Sequence, residues 1–247
     1  MKTVFINGSP KKRFSASAYF LAVQRFFVKG NVTTMALRNR SDHSKIIREL
    51  HDADAVVFCL PLYVDGIPSH VLSFMKELEG FLKENKLNLR VYALSNCGFI
   101  EGRQCCALMK IFENFCARTG LVWGGGIGVG GGVMMNILQY VFLLQVFLLG
   151  LNIVLNGVTY GEWLPVEAFA NFAINVGTIL FFNAGFLWFS AQQGRCINRG
   201  LVAGEKFTRT LVPSIVFFFC ANLFFLISSF FEGGLFRGWL KAPPPNK

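Results

Sequence analysis

The chain has 247 residues, 53% of them hydrophobic and 15% charged, with a formal net charge of +10. So much apolar surface excludes a disordered chain and does not suit an ordinary soluble domain; a membrane is the natural place to hide it. The cationic surplus suits an anionic ligand or a negatively charged membrane surface, whereas no nucleic-acid partner is expected, because the basic residues are not interleaved with aromatics in a recognisable module.

The composition is uneven along the chain. Residues 1–131 hold 27 of the 38 charged side chains, while residues 132–247 hold 11 of them and 17 of the 28 phenylalanines. The first stretch suffices for one domain of roughly 100–150 residues, so the expected division is residues 1–132 as a folded domain and 133–247 as a membrane-embedded helical region. Met1–Gly8 carries only a five-residue apolar run, short of a secretory h-region, which predicts an N-terminal domain in the cytoplasm.

Thr3–Asn7 reads as a buried strand that ends in the turn Gly8-Ser9-Pro10. Ser15–Phe27 follows as a helix, with Ala18, Leu21, Ala22 and Phe26 at helical spacing and serines to cap its start. Asn31–Leu37 predicts a second strand, and Ser41-Asp42 cap a short helix with Ile46, Ile47 and Leu50 inward. Asp54–Leu60 is the clearest strand, a continuous apolar run of the kind found when helices cover both faces of a parallel sheet. It ends at Pro61. After the loop Leu62–Ile67, Pro68 opens a helix whose apolar face is Val71, Phe74, Met75, Leu78 and Leu82. Leu89–Ser95 is a fourth strand, Arg103–Arg118 a helix with Met109, Phe112 and Cys116 inward, and Leu121–Val129 a fifth strand running into glycines. This alternation predicts an α/β doubly wound parallel sheet of five strands with helices on both faces. Ligands of such sheets lie outside the carboxyl ends of the strands, where strand order reverses, so the loops to inspect are Gly8–Ser17, Pro61–Pro68 and Ser95–Glu101.

Beyond Gly132 the pattern changes. Met134–Leu155, Phe169–Ala191 and Leu211–Phe231 carry no charge and are each long enough for a hydrocarbon core of about 30 Å. Gln192–Thr210 holds Arg195, Arg199, Lys206 and Arg209 against Glu205, whereas Asn156–Ala168 holds only Glu162 and Glu167. Three spans place the basic loop on the cytoplasmic side, as the positive-inside rule prefers; Arg237, Lys241 and Lys247 would then lie outside. The second-ranked arrangement uses Met134–Leu155 as the last helix of the sheet domain and leaves two spans, with the basic loop outside. Gln139, Gln145, Asn152, Asn171, Asn175, Asn183 and Asn222 are expected to hydrogen-bond between helices at membrane depth; a quinone-binding role for them ranks lower, since no ionisable residue accompanies them.

Seven cysteines without a CxxC pair read as reduced thiols, with adjacent Cys105 and Cys106 as small helix residues of which one faces the core. The three histidines do not cluster, and no metal site is expected. The turn Gly8–Ser17 combines hydroxyls at Ser9, Ser15 and Ser17, the cations Lys11, Lys12 and Arg13, and the amides of a helix start, which suits a phosphate dianion. GxxxxGK[ST] is absent, which counts against ATP or GTP hydrolysis. Gly126–Gly131 formally matches GxGxxG, but the surrounding glycine run would satisfy many patterns and no acid follows about 20 positions later. It reads as a strand end where backbone approaches other backbone or a ligand closely.

Asn7–Ser17, Pro61–Pro68 and Ser95-Asn96-Cys97-Gly98-Phe99 together resemble the flavodoxin-like NAD(P)H-dependent FMN oxidoreductases, over residues 1–132. The resemblance implies a sheet of order 2-1-3-4-5 and FMN as cofactor, with NAD(P)H as electron donor. It implies that Ser9, Lys11, Ser15, Ala16 and Ser17 hold the phosphate, and that Pro61, Leu62, Tyr63 and Val64 with Asn96, Cys97, Gly98 and Phe99 line the ring. Tyr63 and Phe99 can flank a flat apolar ring, and tight glycine-containing loops can aim amides at its oxygens. Asp65 and Glu101 read as loop-capping acids, and no side chain is expected to be catalytic. The receiver fold of two-component signalling is excluded, because Asn7, Gly8 and Ser9 stand where paired acids are needed. The resulting expectation is a membrane-anchored flavoprotein oxidoreductase passing electrons to a small acceptor such as a quinone, with a homodimer allowed by the resemblance. The alternatives are a non-catalytic flavin-binding redox sensor or assembly module and, lower, a transport component.

Overall fold

A computed structural model describes residues 1–11, 15–161, 163 and 165–231. Lys12, Arg13, Glu162 and the tail cations Arg237, Lys241 and Lys247 lie outside the described residues. The chain divides into two compact units, Met1–Thr210 and Leu211–Lys247.

The first unit is built on parallel strands β1 (Lys2–Asn7), β2 (Asn31–Ala36), β3 (Ala55–Pro61), β4 (Arg90–Asn96) and β5 (Val122–Val129), all as expected within a residue or two. Their order is β2-β1-β3-β4-β5, and a sixth strand, β6 (Gly204–Phe207), pairs in parallel with β5 at the edge. The expectation of five strands is therefore corrected to six. Alternation along each strand sorts side chains to two cores: Val4, Ile6, Val56, Phe58 and Leu60 face one side, while Phe5, Val57 and Cys59 face the other.

Helices α2 (His43–His51), α3 (Ser69–Glu84) and α4 (Cys106–Thr119) bury Ile46, Leu50, Phe74, Leu78, Met109 and Phe112 against the first face. Cys105 is buried and Cys106 half-buried, so one of the pair does face the core. The second face is covered by α1 (Ala16–Phe26), by the start of α5 (Gly132–Tyr160) through Met135, and by the end of α6 (Val166–Arg199). Asn183, Phe186, Ser190, Gln193, Gly194 and Ile197 of α6 form one buried stripe at helical spacing. The Phe186 ring meets Phe20 edge-on with centroids 4.7 Å apart, and Asn198 Nδ2 donates to Phe27 O at 3.0 Å. Beyond α6, Tyr92 Oη donates to Leu201 O at 2.7 Å and the Ala203 amide to Gly124 O at 2.7 Å, which leads the chain into β6.

Two expectations change as a result. Residues 192–210 are not a loop: they contain the end of α6 and strand β6, both held to the sheet. Asn183 is not at membrane depth between spans: its Oδ1 accepts from Tyr19 Oη at 2.9 Å, whereas Asn175 Nδ2 and Gln145 Oε1 do pair between α5 and α6 at 3.1 Å.

Among the described residues, Ile137–Tyr160 and Val166–Arg199 are long and apolar enough to cross a membrane, with mean hydropathy 2.1 and 1.6. In the second unit, α7 (Ser214–Phe231) has a shorter apolar stretch, Ser214–Ile227.

Candidate functional site

β1 and β3 are neighbours whose following helices, α1 and α3, cover opposite faces of the sheet, so the crevice at their carboxyl ends is the switch point of the fold. Three loops meet there. The Gly8 amide donates to Cys59 O at 2.8 Å and the Leu62 amide to Asn96 O at 2.8 Å. Asn96 Nδ2 reaches across to Ser17 Oγ at 3.0 Å and to Leu60 O at 3.4 Å. Through its amide side chain and its own carbonyl, one buried residue thus ties the third loop to the first loop, the end of β3 and the second loop.

In the first loop Ser9, Ser15 and Ser17 are all buried. Ser15 caps α1, its Oγ accepting from the Ala18 amide at 3.2 Å. The amides of Ala16 and Ser17, the first two of the helix, have no intrahelical acceptor within reach and carry the positive end of the helix dipole. Ser17 Oγ accepts from Asn96, which leaves its own hydroxyl proton to donate, and its carbonyl accepts from Cys59 Sγ at 2.9 Å. Burial pushes the Cys59 thiol far above its ordinary pKa, so it stays protonated in that role. Lys11 is exposed beside Ser9, with its amide 3.4 Å from Ser9 Oγ.

In the second loop Tyr63 and Gly66 exchange backbone hydrogen bonds of 3.1 and 2.9 Å around Val64 (φ 46°) and Asp65 (φ 56°), the two positive-φ positions of a tight primed turn. A β-branched residue is strained there. Val64 is fully exposed at 102% and Tyr63 is 45% exposed, so both stand at the tip rather than in the core.

The third loop presents Gly98 and Phe99 outward, Phe99 at 56% exposure. Cys97 is turned inward: its Sγ lies 3.4 Å from Glu101 O and 3.6 Å from Val129 O. The neighbouring Cys105 thiol hydrogen-bonds to it, lowering the Cys97 pKa and raising that of Cys105. Its backbone is engaged as well, the amide donating to Val129 O at 3.0 Å and the carbonyl accepting from the Gly132 amide at 2.8 Å. A strap after β6 braces this loop, since the Thr208 amide donates to Gly128 O at 2.9 Å, Gly102 to Thr208 O at 2.7 Å, and Gly130 to Thr208 Oγ1 at 3.1 Å. Arg209 pairs with Glu101 at 3.4 Å, which gives that acid its loop-holding role. So closely does the end of the third loop pass β5 that a Cβ on Gly102 would collide with the Gly128 carbonyl. Part of the glycine run is thereby accounted for by approach of backbone to backbone.

The structure brings Ser9, Ser15, Ala16, Ser17, Leu62 and Asn96 to one crevice and sets Tyr63, Val64 and Phe99 on its rim. Sequence reasoning missed His70, whose Nε2 donates to Gly8 O at 3.1 Å, and the strap at Thr208. His70 carried a weak signal, its place in the first turn after the second loop; Thr208 carried none. Two clefts, of about 480 Å³ between α3 and α4 and about 420 Å³ between α1 and α6, do not adjoin these loops.

Strand order, switch point and loop cluster define an α/β protein of the flavodoxin-like, doubly wound class. No family model matches the sequence, and no curated protein matches it. Among solved structures, the Trp repressor binding protein from Bacillus subtilis is 17% identical, with a TM-score of 0.44 over 52% of this chain and 84% of that one. An NADPH-quinone reductase from P. pentosaceus is 20% identical, with a TM-score of 0.46 over 53% of this chain and 86% of that one. A flavone reductase is 9% identical, with a TM-score of 0.47 over 83% of this chain and 66% of that one.

Proposed function

We propose that the protein is a membrane-anchored flavoprotein oxidoreductase with FMN in the switch-point crevice. The observation that carries this reading is the convergence of three loops on the buried Asn96 beside the first-turn amides of α1. These residues fit the cofactor: Ser9, Ser15 and Ser17 are hydroxyl donors, Ala16 and Ser17 add amides, and Lys11 adds charge for a phosphate dianion. Tyr63 and Phe99 are exposed aromatics that would flank a planar ring, and Leu62 and Pro61 would add apolar surface beside it.

When bound, FMN would supply acceptance of hydride from NAD(P)H and release of the electrons to a small acceptor such as a quinone. The chain binds and orients. Asn96 holds the loops at a fixed spacing, the helix start neutralises the phosphate, and Gly98 lets backbone approach the ligand closely. No side chain is required as acid or base. In the same proposal α5 and α6 cross the bilayer as a hairpin, which keeps β6 and the sheet together on the cytoplasmic side.

An absorbance spectrum of detergent-purified protein, taken before and after anaerobic addition of NADPH, tests donor and cofactor together. A flavin band bleached by NADPH is expected. No flavin and no uptake of FMN sinks the proposal, and a band that neither NADH nor NADPH bleaches turns it into a binding module or sensor.

A further inference from the structure

Both legs of the α5–α6 hairpin leave the sheet at the edge that carries the candidate site. α5 begins at Gly132, whose amide donates to Cys97 O at 2.8 Å, next to the Gly131 amide on Phe99 O at 2.6 Å. α6 meets the sheet domain at Asn183, bonded to Tyr19 one turn into α1, and then runs beside α1 to Asn198 at Phe27 and Lys29. Because α6 is one continuous helix parallel to α1 there, residues 166–182 extend beyond the start of α1, past the carboxyl ends of the strands. At a rise of about 1.5 Å per residue, that projection is about 26 Å long. A hydrocarbon core is about 30 Å thick. A hairpin that fills such a core has no length to spare, so the carboxyl edge of the sheet sits at the headgroups.

The rim of that edge has the chemistry for this position. Val64, Phe99 and Tyr63 expose apolar and aromatic surface at the loop tips, the side chains found at membrane interfaces. On the loops beside them Lys11, Arg103 and Arg209 outnumber Asp65 and Glu101. Clustered cations of this kind are attracted to an anionic leaflet.

We propose that the rim formed by Tyr63, Val64 and Phe99 is a second membrane-contact surface, resting in the headgroup region of an anionic bilayer so that the crevice opens at lipid level. This rests on the membrane reading of the hairpin made under Proposed function. Full-length protein with Cys106→Ser, Cys196→Ser and Cys220→Ser would be labelled with an environment-sensitive fluorophore at Val64→Cys, Phe99→Cys, Leu148→Cys or Asn88→Cys. Each labelled protein is reconstituted into phosphatidylcholine vesicles containing phosphatidylglycerol. Lipids spin-labelled at the headgroup should quench positions 64 and 99 at least twofold more than position 88, on the opposite edge. Lipids spin-labelled in the chain should quench position 148. Quenching at 148 with 64 and 99 no different from 88 overturns this proposal and leaves the hairpin reading standing. Absence of quenching at 148 overturns both.

Discussion

Ser15 caps α1 and faces the place proposed for the phosphate, and two substitutions separate those duties. Aspartate is as good an N-cap as serine, so Ser15→Asp should leave the unfolding midpoint unchanged while setting a carboxylate against the dianion. Its FMN affinity, followed by fluorescence titration, is expected to fall at least tenfold, about 1.4 kcal/mol; an unchanged affinity removes the phosphate from this helix. Ser15→Ala should instead cost about 1 kcal/mol of stability. At the tip of the second loop, Val64→Asn relieves a β-branched residue at φ 46°. Stability should rise by about 1 kcal/mol in thermal or denaturant unfolding, and a loss would refute the strained turn. Acid sensitivity also has a named residue. Asp42 accepts the amides of Asn39 and Arg38 at 3.0 Å each, and the Asn39 bond above all holds its pKa below the usual carboxylate value. Its contribution is complete above a pH of about 4 and is lost as pH falls through the lowered folded value. Asp42→Asn should flatten that limb of the stability profile.

The strands that local pattern reveals are those buried on both faces, such as Ala55–Pro61, where an unbroken apolar run leaves one reading. β6 was invisible for the opposite reason. Gly204–Phe207 is short, alternates between exposed and half-buried positions, and pairs through backbone groups that every residue carries. α6 hid its change of environment, since the apolar run through Phe169–Ala191 passes from uncovered surface to the buried stripe starting at Asn183 without a compositional break. Two substitutions test these elements. A Cβ on Gly194 would stand 2.6 Å from the Cβ of Phe27, so Gly194→Val should push α6 off α1 and cost about 1–3 kcal/mol, with FMN affinity of the folded fraction kept. Thr208→Val removes the acceptor of the Gly130 amide at 3.1 Å. It should cost about 1–3 kcal/mol and weaken FMN binding by loosening the third loop, an effect absent in Gly194→Val.

For the molecule as a whole, the position of the last sheet-covering helix decides what can be removed. A chain cut after Gly132 lacks Phe186 and Ile197, which share one buried cluster with Phe20 and Ile127, and exposing each side chain left uncovered costs about 1.5–3 kcal/mol. It is expected to be insoluble. A chain that ends at Thr210 and in which a short Gly/Ser linker replaces residues 139–181 keeps the end of α6 and β6 but loses the apolar α7, and should be recovered without detergent and take up FMN; soluble yield and flavin absorbance decide. By itself the sequence determined the five central strands, the three loops of the crevice and the presence of apolar helices in excess of what one domain can bury, because each is written in local periodicity and composition. Only the tertiary structure decided that the chain comes back from the hairpin, covers α1 and adds a strand beside β5. Lipid and protein interior select the same apolar side chains, and an edge strand is chosen by the backbone it finds, so neither leaves a mark that can be read one segment at a time.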